Sequence, residues 1–279
     1  MRIDVVGSAN IDLVATLARL PEAGETLSST SFALVPGGKG ANQAVAAARL
    51  GASVRFLGAV GEDGHGDALL ASLGADGIDI SATRRLGPAT GQAMIFVDRL
   101  GDTMIVTVGG ANHELGAEHI DVAGTEAVLC VLEVRDEVIA ASAAQCTGFF
   151  AVNVAPPRPL PAGVLERADL IVANQHEFAA VPGVSSGRLV AVTMGAEGAR
   201  LLREGAEVAY CRPPAVPVID GTGAGDAFTA ALLVALLEQQ PDADALRFAV
   251  TAGAVAVRRP GAQPSLPRRS EVEALLSPV

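Results

Sequence analysis

Short runs of apolar residues alternate with helical patterns along most of the chain. The apolar runs predict strands over residues 3–9, 54–61, 127–132, 149–154, 170–173 and 190–192, and the helical periodicity predicts helices over residues 65–73, 136–145, 229–237 and 244–257. Both faces of these strands are apolar, as is typical of strands in the middle of a parallel sheet. The order of the elements therefore predicts an α/β fold in which helices cover both faces of a mostly parallel sheet.

Two segments interrupt this alternation. Residues 13–35 are more polar and are typical of edge strands around a turn, and residues 92–97 and 104–108 predict a β-hairpin. The two segments could pair into a small β-sheet lid. The sequence therefore predicts a discontinuous core of residues 1–12, 36–89 and 110–279, and a lid of residues 13–35 and 90–109.

Two glycine-rich loops lie within this framework. One is residues 220–226 (DGTGAGD), which a short extended segment enters and a buried helix follows. Its glycines allow backbone amides to point into an open cradle, and the helix dipole makes such a cradle suitable for an anion. Asp226 lies at the mouth of the cradle, and an anion site beside a carboxylate suits phosphoryl transfer. The other loop, residues 36–42 (PGGKGAN), opens a helix that ends at Gly51.

Polar residues lie at or just after the predicted ends of several strands. They are Asn10, Asp12, Glu133, Asn174, Thr193 and Asp220. Each alone is ordinary at a turn, just as Asp226 alone is typical of a helix N-cap and Asn174 with Glu177 of a capping box. Ligands of open α/β sheets bind outside the carboxyl ends of the strands. Six such residues beside two glycine loops therefore predict a ligand site at this edge.

Other catalytic motifs fail at single positions. A dinucleotide-binding loop of the form G-x-G-x-x-G would need a glycine where Asp226 stands, and no Ser or Thr follows Lys39 as it would in a P-loop. The four histidines are scattered and are more typical of surface or capping positions than of metal ligands.

Composition and charge narrow the class of protein. Of the 279 residues, 50% are hydrophobic and 18% are charged, which indicates a globular protein with a large core. The net charge of −11 argues against a nucleic acid or an anionic membrane as partner. Three separated cysteines indicate a reducing, cytoplasmic location. Polar residues interrupt the first apolar run, which argues against a signal peptide, and no run reaches the roughly 18 residues that span a bilayer.

Six motifs in a fixed order carry a resemblance to the PfkB carbohydrate kinase family, closest to its ribokinase branch. They are residues 7–12 (GSANID), 37–44 (GGKGANQA), 110–112 (GAN), 174–177 (NQHE), 220–228 (DGTGAGDAF) and 261–265 (GAQPS). The resemblance covers nearly the whole chain and implies a ribokinase-like fold with a β-sheet lid. It also implies ATP-dependent phosphorylation of the primary 5-hydroxyl of a pentofuranose, with D-ribose giving D-ribose 5-phosphate.

The same resemblance implies roles for individual residues. Asp226 would be the base, and the amides of Gly223, Ala224 and Gly225 would form the anion hole. The sugar would contact Asn10, Asp12, Gly38, Lys39, Gly40, Ala41, Asn42, Glu133 and Asp226. ATP would contact Asn174, Thr193, Met194, Gly195, Ala196, Glu197, Gly198, Gly225 and Asp226. Glu177 would hold Mg²⁺ through water, and an activating K⁺ would bind Asp220, Thr222, Ala256, Arg259, Gly261 and Ser265.

One segment departs from the family pattern. Residues 178–189 form a short stretch that contains Gly, Ser and Pro, where the family usually has a helix, a loop and a second helix. We therefore expect the sheet face beside this segment to be thinly covered, or to be covered by a partner subunit. Nucleotide positioning by Asn174 is the role that this departure affects most.

The residues leave several functions open. A kinase for 2-deoxyribose, a nucleoside or another small sugar would share these motifs, although residues 38–42 and an aromatic content of only 3% favour a free pentose over a nucleoside. A catalytically silent sugar-binding regulator is an alternative from a different class, and the presence of Asp226 counts against it. The expected partners are ATP, a small sugar and a second subunit that forms a homodimer through the lid.

Overall fold

An eight-stranded sheet forms the centre of the protein, and a four-stranded sheet lies beside it. The computed structural model describes residues 1–277, so positions 278 and 279 of the predicted core lie outside the described residues. The strands, numbered along the chain, are β1 (Arg2–Val6), β2 (Asn10–Leu17), β3 (Ser31–Gly37), β4 (Ser53–Leu57), β5 (Ala59–Val60), β6 (Arg84–Arg85), β7 (Gly91–Asp98), β8 (Thr103–Val108), β9 (Ala127–Val131), β10 (Phe149–Asn153), β11 (Leu170–Asn174), β12 (Leu189–Thr193), β13 (Ala199–Arg203) and β14 (Ala206–Cys211). The helices are α1 (Lys39–Arg49), α2 (Gly64–Ala75), α3 (Asp136–Gln145), α4 (Val164–Arg167), α5 (Gln175–Ala180), α6 (Ala224–Leu237), α7 (Asp242–Ala256) and α8 (Arg269–Leu276).

The large sheet has the strand order β14-β13-β12-β11-β10-β9-β1-β4. The strands from β12 to β4 run parallel, and β13 and β14 add an antiparallel edge. Alternate side chains enter two separate cores, so that Leu129 packs on the side of α1 and α6 while Val128 and Val152 pack on the side of α3. Burial of both faces explains why these strands are apolar throughout. The predicted fold class is confirmed.

The small sheet has the order β3-β2-β7-β8 and draws its strands from the two segments that interrupt the alternation. The hairpin of β7 and β8 is present as predicted. The predicted first strand was too long, because β1 ends at Val6 and Asn10 already belongs to β2. Residues 7–9 connect the two strands. Glycine is needed at position 7, because a side chain there would lie 2.8 Å from the Gly40 Cα atom. Asn10 and Asp12 therefore lie in the small sheet and not at the end of a core strand.

The segment before the second glycine loop also differs from the prediction. No strand follows β14 before α6, and the side chains of Val218 and Ile219 are 72% and 64% exposed. Asp220 is therefore a loop residue and not a strand end. The helix behind the loop begins at Ala224 and not at residue 229, because Gly223 has a φ of 80° and caps it. Asp226 consequently lies in the first turn of α6.

The short segment after α5 covers more of the sheet than its length suggests. Val181 and Val184 are buried in the same core as Val190 of β12. Farther out, on the edge strand β14, Val208 and Tyr210 are 43% and 48% exposed. The thin cover that we expected is therefore confined to the outer, antiparallel edge of the sheet. Among residues 1–277, no helix is both long and apolar enough to cross a membrane.

Val184 provides a test of this packing. We expect Val184→Ala to lower the free energy of unfolding by about 1–3 kcal/mol, because it removes two buried methyl groups and leaves a cavity. The matched substitution Val208→Ala on the exposed edge should change it by no more than about 0.5 kcal/mol. Urea unfolding of both variants measures the difference. Equal, negligible effects would mean that the valines of this segment contribute no packing.

Candidate active site

The carboxyl ends of four neighbouring strands form the floor of the site. Glu133 follows β9, and Asn153, Asn174 and Thr193 are the last residues of β10, β11 and β12. Asn174 and Thr193 are direct partners in the parallel register. The predicted position at the strand ends is thus confirmed for Glu133, Asn174 and Thr193. Asn153 belongs to the same row, although its sequence context gave no signal for it.

Asp226 is held between α6 and α1. Its side chain is buried, and both of its oxygens accept hydrogen bonds from side-chain amides of α1. Asn42 Nδ2 donates to Oδ2 at 2.9 Å, and Gln43 Nε2 donates to Oδ1 at 2.9 Å. Burial raises the pKa of Asp226, while Lys39 and the two amides act in the opposite direction. The carboxylate is therefore oriented as well as desolvated.

Glu133 joins Ser8, which precedes β2, to the start of α1. Its Oε2 accepts hydrogen bonds from the Ser8 hydroxyl and, at 3.0 Å, from the Lys39 backbone amide. The Lys39 ammonium lies 4.0 Å from Oε1. This approach depends on Gly38, which has a φ of 87° and whose missing side chain would lie 2.8 Å from the Asn10 amide. The glycine loop therefore brings the start of α1 against the turn before β2.

Lys39 lies in the field of several carboxylates. Burial lowers the pKa of its ammonium, but Asp226, Glu133, Glu177 and Asp12 together raise it above the usual value. Lys39 is therefore charged at neutral pH. These carboxylates belong to α6, to the segment after β9, to α5 and to β2, so Lys39 lies where these parts of the chain meet.

Asp12 is a buried carboxylate of β2. It is 8% exposed, and its carboxyl group lies against Gly37, where an added Cβ would be 2.2 Å from Oδ2. Burial above all, together with the charges of Glu133 and Asp226, raises the pKa of Asp12 from 3.8 to about 7, while Lys39 acts in the opposite direction. Asp12 therefore exchanges a proton near neutral pH.

Asn112 fixes the neighbouring Asn10. Its Oδ1 accepts a hydrogen bond from the Ala9 amide at 3.0 Å, and its Nδ2 donates to Asn10 Oδ1 at 2.8 Å. With Asn10 Oδ1 engaged in this way, the amide nitrogen of Asn10 is the group left to donate. Gly91 makes room for the pair, since a Cβ there would lie within 2.3 Å of both side chains.

A cavity of about 740 Å³ opens on this side of the molecule. Its wall includes Ser8, Asn10, Asn112 and Glu133, and it extends past Arg158 toward β8 of the small sheet. Ser8, Gln43, Asn112 and Asn153 are site residues that sequence reasoning missed. The first three lie inside motifs that the sequence already marked, whereas Asn153 ends an ordinary apolar strand.

The glycine loop of residues 220–226, for which the sequence predicts an anion cradle, leads into the first turn of α6. The Ala224 amide donates to the Gly221 carbonyl at 3.3 Å. The amides of Gly225 and Asp226 belong to the first turn of α6 and have no acceptor within the helix. A Cβ at Gly225 would meet nothing within 4 Å, so open space faces this turn. The donors and the space suit an anionic group.

Asn174 and Glu177 form the capping box that the sequence suggested, at the start of α5. Asn174 Oδ1 accepts from the Glu177 amide at 2.8 Å, and Glu177 Oε2 accepts from the Asn174 amide at 2.7 Å. Burial raises the pKa of Glu177, against the effects of the Asn174 amide and Lys39. The neighbouring loop after β12 is closed by a 2.7 Å hydrogen bond from the Met194 amide to the Gly198 carbonyl. Asn174 and Glu177 thus stabilise the start of α5.

Four of the six residues predicted for a monovalent cation, Asp220, Thr222, Gly261 and Ser265, lie together. Asp220 Oδ1 accepts from the Thr222 amide and hydroxyl at 2.9 and 2.7 Å, and Asp220 Oδ2 accepts from the Gly261 amide at 2.7 Å. Ser265 Oγ lies 3.4 Å from the Thr222 carbonyl oxygen. This oxygen-rich set with one carboxylate fits a hard cation of low charge. Within residues 1–277, no cluster of three or more His, Cys, Asp or Glu side chains is placed to hold a metal.

A family model described as pfkB family carbohydrate kinase matches residues 1–269 of this chain. The chain belongs to the pfkB family of carbohydrate kinases. As a member of this family it is a sugar kinase, an enzyme that transfers a phosphoryl group to an alcohol.

Individual relatives of the pfkB family match over nearly the full length. Ribokinase of Bacillus subtilis is 39% identical over 295 residues, which cover 99% of each chain. The structure of Arabidopsis thaliana ribokinase complexed with ribose and ATP has a TM-score of 0.89 and 32% identity, and covers 99% of both chains. The ribokinase structure from Thermotoga maritima has a TM-score of 0.89 and 31% identity, and covers 98% of both.

Asp12 gives a prediction about stability and pH. Because the folded protein binds a proton at Asp12 up to about pH 7, and the unfolded chain only up to about pH 4, this carboxylate destabilises the fold increasingly as pH rises between those values. Asp12→Asn should therefore raise the free energy of unfolding at pH 8, by up to about 4 kcal/mol, and raise it little at pH 4. Urea unfolding at several pH values measures this gain.

The exposed Asp102→Asn variant of the β7–β8 turn is the control for this measurement. It should show no comparable gain at pH 8. A gain for Asp12→Asn that is the same at pH 5 and pH 8 would contradict the raised pKa.

Proposed function

We propose that this protein phosphorylates the primary 5-hydroxyl of a pentofuranose with ATP, and that D-ribose is converted to D-ribose 5-phosphate. The observation that carries the proposal is the position of Asp226. Through Gln43 it is linked to Asn153 at the end of β10, between the sugar-side residue Glu133 and the nucleotide-side residue Asn174. The names of the ribokinase relatives, one of them complexed with ribose and ATP, support the choice of substrates.

In this proposal the sugar hydroxyl lies against Asp226. The hydroxyl oxygen attacks the γ-phosphorus of ATP, the bond from that phosphorus to the bridging oxygen breaks, and the proton passes to Asp226. In a loose transition state the proton leaves late, so the orientation of the carboxylate matters more than its basicity. The amides of Gly223, Ala224 and Gly225 would stabilise the negative charge on the transferred group. Gly225 is the clearest of the three, because open space faces it.

Sugar recognition would use the polar groups that the fold leaves unsatisfied. Asn42 Oδ1 is buried without a hydrogen-bond partner among the described residues, and it could accept from a sugar hydroxyl. Lys39 and the free amide hydrogens of Asn10 are donors, and Glu133 and Asp12 are acceptors. The backbone of Gly38, Gly40 and Ala41 would line the same side. Paired donors and acceptors of this kind suit neighbouring hydroxyls.

Nucleotide binding would use the loop from Thr193 to Gly198, with Met194, Ala196 and Glu197 between them, together with Asn174, Gly225 and Asp226. Mg²⁺ would enter with ATP and neutralise charge on its phosphates. Glu177 Oε2 is occupied by the Asn174 amide, which leaves Oε1 to hold a metal-bound water. A single carboxylate fits this ion, because Mg²⁺ keeps most of its waters and binds substrate phosphates.

K⁺ would bind the oxygen-rich set of Asp220, Ser265 and the backbone of Thr222, Ala256, Arg259 and Gly261. Gly223 lies in the same loop as Asp220, so an ion there would stabilise the conformation of the cradle. The ion takes no part in the transfer itself.

The small sheet has two different faces. Paired across its strands are Leu34, Leu13, Met94 and Val106 in one row and Val35, Asp12, Ala93 and Thr107 in the next. The row of Asp12 faces the site, so the other face points away from it. Leu34, Met94 and Val106 on that face are 52%, 36% and 48% exposed. This apolar face supports a homodimer that forms through the lid, because single chains rarely expose such patches.

Three unpaired cysteines support a reducing compartment, and we assign the protein to the cytoplasm on that basis. A kinase for 2-deoxyribose, a nucleoside or another small sugar is the alternative within the enzyme class. A silent sugar-binding regulator is the alternative from a different class, and it would have no need of a base such as Asp226.

ADP release provides the test of the reaction. With ATP and Mg²⁺ we expect turnover with ribose to exceed that with 2-deoxyribose, fructose and adenosine, and to be faster in K⁺ than in Na⁺ or tetramethylammonium. Asp226→Asn should lower kcat by about 10²–10⁴-fold, because the hydroxyl then lacks a proton acceptor. Asp244→Asn, in the exposed first turn of α7, is the matched control and should retain activity.

The outcomes of this assay separate the alternatives. A preference for adenosine or 2-deoxyribose would show that ribose is not the main substrate. Sugar binding without ADP release would favour the silent regulator. Full turnover by Asp226→Asn would show that Asp226 is not the base. Equal rates in the three cations would contradict the K⁺ site.

The oligomeric state tests the lid face. We expect the protein to be a dimer in light scattering, and the double variant Leu34→Lys, Val106→Lys to be a monomer, because two buried charges on each subunit would oppose association. Leu100→Lys in the 82% exposed hairpin turn is the control and should remain a dimer. A monomeric wild-type protein would exclude the interface.

A further inference from the structure

Two buried side-chain amides behind Asp226 have no part in the reaction as described above. They belong to Gln43 of α1, which is fully buried, and Asn153 of β10. We propose that Gln43, anchored by Asn153, is a positioning residue that fixes the plane of the Asp226 carboxylate toward the sugar hydroxyl. The inference rests on the role proposed for Asp226.

A backbone carbonyl determines which atoms in this chain of amides donate and which accept. Asn153 Nδ2 donates to the Val172 carbonyl of β11 at 3.1 Å, and a carbonyl can only accept. Asn153 Oδ1 must therefore face Gln43, and Gln43 must present its Nε2, which donates to Asn153 Oδ1 at 3.1 Å and to Asp226 Oδ1 at 2.9 Å. Both hydrogens of Nε2 are used. The central strands of the sheet thus set the orientation of a side chain on a different helix.

Gln43 and Asn42 act on the two oxygens of Asp226 separately. Asn42 Nδ2 holds Oδ2, and Gln43 Nε2 holds Oδ1. One donor alone would allow the carboxylate to turn about the bond to its Cβ atom, whereas two donors on different oxygens fix its plane. Each oxygen keeps a further lone pair, which is available to the substrate hydroxyl.

The hydrogen bonding of Gln43 is incomplete, and the bonds that it does make point toward Asp226. Gln43 Oε1 is buried without a hydrogen-bond partner among residues 1–277, which is unfavourable. A methionine of similar shape would fill the space without burying that oxygen. What the glutamine adds is the Nε2 donor, which gives the buried Asp226 carboxylate a partner and fixes its plane.

Several charged groups face Asp226 from the surrounding elements. They are Lys39 of α1, Glu133 after β9 and Asp12 of β2. Removal of the Gln43 donor takes away a hydrogen bond to the ionised form of Asp226 and leaves these charges unchanged. The pKa of Asp226 should then rise, which moves the acid limb of activity to higher pH.

Steady-state kinetics of the full-length protein with ribose and ATP test the proposal. We expect Gln43→Met to lower kcat by about 10–100-fold, the effect of losing one hydrogen bond to a charged group. The KM for ribose should stay within about threefold, because Gln43 is not placed against the sugar, and the acid limb of kcat/KM should move to higher pH. The matched control is Gln145→Met in α3, where the glutamine only accepts from the Val122 amide.

Asn153→Ala is a second variant that leaves Gln43 in place but removes its anchor. It should reduce kcat in the same direction, and the double variant should lose less than the product of the two single losses, since both act through one chain. This variant carries the test if Gln43→Met does not fold.

Three results would overturn the proposal. They are an unchanged kcat and pH profile in Gln43→Met or Asn153→Ala, an effect confined to KM, and independent, multiplicative losses in the double variant. If Asp226→Asn abolishes turnover while Gln43→Met matches Gln145→Met, the positioning role alone fails. If Asp226→Asn is fully active, the proposed base fails and the positioning role fails with it.

Discussion

The burial of one carboxylate in an apolar helix pair is the constraint on which the site depends. α6 consists largely of Ala, Leu and Val packed in the main core, and Asp226 is buried in its first turn. A buried charge without partners is strongly unfavourable, so the start of α1 must bring its amides to it. That approach requires Gly38 with its positive φ and Gly40 against the turn after β1. The two glycine loops are therefore one structural unit, although 180 or so residues separate them.

The large sheet determines how this unit is used. Adjacent parallel strands are about 4.8 Å apart, so the ends of β9, β10, β11 and β12 form one row, along which the proposed function places the sugar and the nucleotide phosphates. Glu133 lies at one end of this row, Thr193 lies at the other, and Asp226 is tied to the middle. In the proposed reaction, Lys39 and the first-turn amides of α6 are the groups that attract the phosphates of ATP to an otherwise acidic protein.

The two faces of the small sheet carry different kinds of side chains. Along β2, Asp12 points to the site and is paired across the strands with Ala93, while its neighbour Leu13 is paired with Leu34 and Met94 on the opposite face. The inner row raises the pKa of Asp12 by burial, and the outer row is apolar and exposed. A substitution in either row would act on a different property, because successive side chains of a strand point to opposite faces.

The sequence by itself determined the fold class, the helices behind both glycine loops and most strand ends of the large sheet, because apolar periodicity is a local signal. It also marked Asp226, Lys39 and Glu133 as candidates. It misplaced Asn10 and Asp220, since strand boundaries depend on which neighbours are available for pairing. Only the tertiary structure decided that the amides of Gln43 and Asn153 meet behind Asp226. Those contacts join three elements that are distant along the chain, and no local pattern records which side chains will face each other once the helices pack.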